Sequence, residues 1–148
     1  MEPFKRILVA TDFSPCARLA VDCAAMLAKS LGGQVHVLYV SEIPDGLFGE
    51  SVALDECFVD ADVKEGRIQL ERLLAELREE GIQADGEVRA GHTPDTIVEE
   101  GRPQQYDLLV PGTHGRTGLR RPWMGSVAER VLRASQIPVL SVRPPHLA

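Results

Sequence analysis

The sequence predicts an open α/β fold: one five-stranded parallel sheet in the order 3-2-1-4-5, Rossmann-like, with helices on both faces. Three observations carry that prediction. Short apolar runs alternate with longer amphipathic stretches, the sequence form of consecutive βα units. The first, second and fourth runs are the most apolar and belong at the centre of the sheet, whereas the third is diluted by Asp85, Gly86, Glu87 and Arg89 and suits an edge. The length, 148 residues, fits one domain spanning 1–148, and a composition 44% hydrophobic and 26% charged supplies an ordinary core.

Each element has a local rationale. Residues 5–10 form the first strand, and Ser14-Pro15 opens its helix, Ser as the cap and Pro at the first helical position where its missing N–H costs nothing. Ala20, Cys23, Ala24, Leu27, Ala28 and Leu31 make the buried stripe of that helix, which Gly32-Gly33 ends. Residues 34–40 form the second strand. Residues 41–61, with Pro44, Gly46 and Gly49 and no clear period, read as a long functional loop. A helix is expected from near Asp62, with Glu65 at the capping-box position, through Leu70, Leu73, Leu74 and Leu77 to Gly81, its first turn weakened by Gly66. Residues 84–90 form the third strand, and Thr93-Pro94 repeats the cap-then-proline device to open a short helix to Glu100. Strands over 106–110 and 138–142 flank a helix over 126–134.

Charge and cysteine usage narrow the function. With 16 Lys plus Arg against 22 Asp plus Glu, the net charge of -6 disfavours nucleic acid and anionic membranes. No apolar run near the N-terminus is long enough for a signal core or a membrane span, which points to the cytoplasm. Cys16, Cys23 and Cys57 form no CxxC pair and read as buried small hydrophobes. His36 and His92 show no ligand spacing with Cys or Asp, so the sequence assigns no metal site.

In the expected strand order, ligands bind where the loops after the first and fourth strands meet. The second of these loops carries the chemistry. Residues 111–126 read PGTHGRTGLRRPWMGS, in which Gly112, Gly115 and Gly125 let backbone N–H groups approach a ligand, and Ser126 opens a helix whose N-terminus favours an anion. Between Leu108 and Ala128 there is no acidic residue, while Arg116, Arg120 and Arg121 supply forks suited to phosphate. Glycines that merely turn the chain, and a Ser126–Glu129 capping box, are the plainer reading of the same residues. P-loop, dinucleotide and nucleophile-elbow motifs are missing.

The spacing Gly112-x-x-Gly115, nine residues, then Gly125-Ser126, together with ILVATDFS at 7–14 and GSVAERVLRASQIPVLSVR at 125–143, resembles the ATP-binding universal stress proteins. That resemblance implies an adenine-nucleotide-alpha-hydrolase-like fold, homodimers paired through the last strand, and a stress-response sensor or regulator rather than an enzyme. Ala10, Thr11, Asp12 and Val40 would hold adenine and ribose, largely through main-chain groups. Gly112, Thr113, Gly115, Arg116, Gly125, Ser126 and Val127 would hold ribose and phosphates, with Mg²⁺ carried on the nucleotide. For Asp12 the plainer reading is an Asx-turn into Ser14, and for His114 a solvent-facing imidazole. Pro111 and Pro122-Trp123-Met124 depart from the family's aliphatic pattern. They favour, as an alternative, a nucleotide-free protein-interaction dimer; a slow ATPase or phosphotransferase is a third reading, which phosphate release would reveal. No residue is assigned a catalytic role.

Overall fold

A computed structural model describes residues 3–43, 52–112 and 125–143. Its strands are β1 (Arg6–Thr11), β2 (Gln34–Glu42), β3 (Gln83–Gly91) and β4 (Leu108–Val110), all parallel, in the order β3-β2-β1-β4. The expected fifth strand lies where it should, beside β4, but it joins through isolated parallel bridges, Leu109 to Val139 and Gly112 to Val142. Leu109 donates to the Pro138 carbonyl and Leu140 donates to the Leu109 carbonyl. Pro138 has no N–H to continue that ladder, so regular pairing is interrupted there.

The helices are α1 (Pro15–Leu31), α2 (Val52–Glu79), α3 (Thr93–Glu100) and α4 (Ser126–Ala134). One face of the sheet, Ile7, Val9, Val35, Val37 and Val110, packs against α1 and α2. The other, Leu8, Ala10, Leu38, Val40 and Leu109, packs against Ile97 of α3 and Val131 of α4. Strict alternation along β1 thus feeds two cores, the pattern of a strand covered on both sides.

The α1 seam is made of small residues, Ala17, Ala20, Val21, Ala24, Ala25 and Ala28, which recur at helical spacing and let the helix approach β1 closely. Leu31, assigned to that seam from the sequence, is 41% exposed, because Gly32 at φ 67° turns the chain away in a left-handed cap. Cys16 and Cys23 are free and half-buried rather than buried, since the alanines occupy the face against the sheet; the Cys57 side chain lies outside the described residues.

Two boundaries change the sequence reading. The helix expected from near Asp62 begins at Val52, so residues 52–61 are helical and the long loop is shorter than its composition suggested. Asp62 is not a cap: both its oxygens accept from the Tyr39 hydroxyl at 2.9 Å, and Ser41 Oγ donates to it as well. This carboxylate, read locally as a helix-starting signal, ties α2 to the end of β2. The N-cap of the short helix α3 is His92, without a side-chain cap hydrogen bond, rather than Thr93. Thr93 instead donates through N and Oγ1 to the Glu42 carboxylate, joining α3 to β2.

The start of β4 is held by a side chain. Asp107 accepts from the main-chain N–H of Lys5 (3.2 Å) and Arg6 (2.9 Å), and its Oδ1 pairs with Arg6 Nη2 at 2.7 Å. Asp107 N–H in turn donates to the Arg6 carbonyl at 2.8 Å, so main chain and side chain together dock this residue on β1, although β4 itself starts at Leu108, two residues later than the apolar run. The Arg6 side chain, then the main-chain donors, hold the Asp107 carboxyl below its ordinary value against the opposing effect of burial.

Gly66 lies buried in the middle of α2, and a Cβ there would meet the Tyr39 ring at 2.5 Å. That ring is itself pinned through its hydroxyl to Asp62. Gly66→Ala gains about 1 kcal/mol of helix propensity but incurs overpacking of about 1–3 kcal/mol, so its urea midpoint is expected to fall, opposite to propensity alone. Asp107, more acidic folded than unfolded, contributes stability that is present above the ordinary carboxylate value of about 3.9 and is lost as pH drops through its lower folded-state value. Asp107→Asn is therefore expected to be less stable at neutral pH and to show a flatter acid limb in urea midpoints measured against pH.

Candidate nucleotide site at the carboxyl end of the sheet

The loop after β1 is built by short-range hydrogen bonds. Phe13 N–H donates to Thr11 Oγ1 at 3.0 Å, Ser14 N–H to Asp12 Oδ1 at 2.9 Å, and Ala17 N–H to Ser14 Oγ at 3.2 Å. Thr11 and Asp12 thus make successive turns, and Ser14 caps α1 as its sequence announced. The Asx-turn at Asp12 is realised, and it fixes the carboxylate at the carboxyl end of β1. Phe13 takes φ 62°, a left-handed conformation held by these turns and by its tilted packing on Tyr39 at 5.0 Å.

Three residues singled out from the sequence converge on the α3–α4 face. Ala10 and Val40 are buried members of one apolar cluster, and Val127 packs against it from the first turn of α4. Gly112, two residues past the end of β4, bridges to Val142, and a Cβ there would stand 3.6 Å from Ala17 Cβ and 4.0 Å from the Ala10 carbonyl. The ends of β1, β2 and β4 and the start of α4 therefore meet at one edge, the switch point between β1 and β4.

Gly125 is the N-cap of α4 and Ser126 its first helical residue, and no side chain caps this helix among the described residues. The capping box read from Ser126 and Glu129 is not formed. Glu129 pairs with Arg133 at 2.8 Å, one turn on. Ser126 is exposed, and among the described residues the first N–H groups of α4 carry no side-chain cap, the kind of terminus that suits an anion.

Thr11 goes the other way. Its side chain, with Phe13, Arg18, Arg72 and Leu73, lines a groove of about 320 Å³ between α1 and α2, on the opposite face from Ala10 and Val40. Only the Thr11 main chain belongs to the switch-point edge. Thr113, Gly115 and Arg116, with His114, Arg120 and Arg121, lie outside the described residues.

The model of the universal stress protein family matches residues 3–143. The chain belongs to the universal stress protein family. It is 32% identical over 142 residues to a universal stress protein of Methanocaldococcus jannaschii, covering 96% of this chain and 84% of that one. Among solved structures, a universal stress protein from Lactobacillus plantarum superposes with a TM-score of 0.84 at 22% identity, covering 97% of this chain and 100% of that one. Another, from Archaeoglobus fulgidus and solved in complex with dAMP, gives a TM-score of 0.67 at 24% identity, covering 96% of this chain and 100% of that one. These likenesses confirm the parallel α/β fold. Among the described residues, no helix is long and apolar enough to cross a membrane.

Ser14→Ala removes the side chain that caps α1 and helps shape the β1–α1 turn, and is expected to cost about 1 kcal/mol of stability, read as a lower thermal midpoint.

Proposed function

We propose that this chain is a single universal stress protein domain that binds ATP at the carboxyl end of the sheet and acts as a cytoplasmic sensor or regulator rather than a turnover enzyme. The observation that carries the reading is the juxtaposition of the Ala10, Val40 and Val127 cluster with an α4 N-terminus that no described side chain caps. The apolar cluster suits an adenine face, and the helix N-terminus suits phosphate. Main-chain groups of Ala10, Thr11, Asp12 and Val40 take the nucleoside; Gly112, Thr113, Gly115, Arg116, Gly125, Ser126 and Val127 take ribose and phosphates, with Mg²⁺ arriving on the nucleotide. The dAMP complex of the Archaeoglobus relative supports adenine as the base. The segment bridging β4 is short and at the sheet's edge, which supports a homodimer paired through it.

Freshly purified protein, denatured, is expected to release ATP, and stripped protein to bind added ATP. Gly125 has φ -61°, which any residue adopts, so Gly125→Val tests the site without forcing a left-handed backbone. The variant is expected to lose at least about tenfold in affinity, about 1.4 kcal/mol. No released nucleotide and no binding at about 1 mM ATP, a free energy near -4.1 kcal/mol, would overturn the reading in favour of the nucleotide-free dimer; phosphate release that disappears in Gly125→Val would favour a slow ATPase.

A further inference from the structure

A second cluster lies away from the switch point, where the β3 edge meets the end of α3. The register of β2 on β3 sets His36 opposite Asp85 and Leu38 opposite Glu87. His36 therefore has Asp85 as its direct cross-strand partner and Glu87 as a diagonal one. Glu100, the last residue of α3, comes down over the same pair. One ligand atom from each of His36, Glu87 and Glu100 lies within 4.8 Å of the others.

The two ring nitrogens of His36 are differently placed. Nδ1 is 2.8 Å from Asp85 Oδ1, a hydrogen bond in which the ring donates when the imidazole is neutral. That leaves the lone pair on Nε2. Nε2 is buried to less than 1 Å² of exposed surface and has no hydrogen-bond partner among the described residues. Its nearest carboxylate oxygen, Glu87 Oε1, stands at 3.5 Å. That separation is long for a hydrogen bond but close to the ligand–ligand distance of about 3.4 Å that tetrahedral geometry gives for zinc bonds of about 2.0–2.2 Å. A carboxylate holding the far nitrogen of a ligating imidazole is the usual outer partner of such sites.

We propose that His36 Nε2, Glu87 and Glu100 bind a first-row divalent transition-metal cation of the Zn²⁺ class, with Asp85 orienting the imidazole. The imidazole selects against Mg²⁺ and Ca²⁺, which take oxygen donors. Charge favours the ion: Asp85, Glu87 and Glu100 gather three carboxylates, and Glu99 stands 3.9 Å from Arg89, the cation paired with Glu100 at 2.9 Å. Glu100 also accepts from the Tyr106 hydroxyl at 3.1 Å, and the lone pairs of a carboxylate suffice for these bonds and a metal bond together. Three protein ligands leave a fourth position for water or an outside donor. The site is independent of the nucleotide reading, and its ligands come from β2, β3 and α3, so it clamps the edge strand to the helix.

The test is calorimetric titration of tag-free, metal-stripped full chain with Zn²⁺ alone and, separately, with Mg²⁺ alone. One equivalent of Zn²⁺ is expected to bind and to raise the thermal midpoint, with no response to Mg²⁺. Asp85→Asn is expected to weaken Zn²⁺ about 10- to 100-fold, and His36→Ala and Glu87→Gln at least as much. Asp85 and Glu87 side chains are 75% and 42% exposed, so those two variants keep the test decisive should His36→Ala fail to fold. Absence of Zn²⁺ binding would overturn the proposal and leave His36 as a hydrogen-bonding partner of Asp85 across the β2–β3 pair. Binding of unchanged affinity in all three variants would overturn it equally, placing the ion elsewhere on the chain.

Discussion

Everything in this molecule is organised around the burial of β1. Ile7, Leu8 and Val9 have no exposed surface, and Ala10 and Thr11 have almost none, because β2 and β4 flank the strand and a helical layer covers each face. A backbone so placed satisfies its hydrogen bonds through the parallel ladders on both sides, and its side chains divide by parity between the two cores. Once that strand is fixed, its carboxyl end brings the main chain of Thr11 and the residue after it, Asp12, to the gap opened by the reversal of strand order. The site is a consequence of the topology before it is a matter of any particular side chain.

The polar anchors lie where the chain leaves these ladders. Asp107 closes the amino end of β1 against β4 by taking the donors of Lys5 and Arg6. Asp62 closes the carboxyl end of β2 against α2 through Tyr39 and Ser41. Glu42 does the same between β2 and α3 through Thr93. Each is a carboxylate spending its acceptors on groups distant in sequence, which stiffens the strand ends on which the two proposed ligand sites stand.

Those sites occupy different parts of the sheet and use different chemistry. At the carboxyl end, apolar side chains and main-chain donors predominate, appropriate to a base and a phosphate. At the β3 edge, an imidazole and carboxylates are drawn together by strand register and by the last turn of α3. Burial and the charge of Glu100 push the Tyr106 phenol well above its ordinary value, with Glu87 and Asp85 adding to the effect, so the hydroxyl stays a donor to Glu100.

Much of the fold was legible in the sequence because it rests on local rules. Parity in β1 and β2, the Ser14-Pro15 start of α1 and the polar dilution of β3 each express a preference that short-range physics enforces. Strand order followed from relative hydrophobicity, and with it the place where Ala10, Val40 and Val127 meet. Where sequence reasoning failed, long-range partners had claimed the signal. Asp62 looked like a helix start and is a tether; Gly66 looked like a weak point and is the clearance for a Tyr39 ring; Thr93 and Ser126 looked like caps and are first helical residues. The residues His36, Asp85, Glu87 and Glu100 show no common spacing along the chain, so only the pairing of β2 with β3 and the descent of α3 could bring them together. Sequence by itself determined which segments pair and which strand ends meet, since periodicity and composition are local quantities. Tertiary structure decided which polar groups face one another, since that depends on register and helix docking, which no single segment encodes.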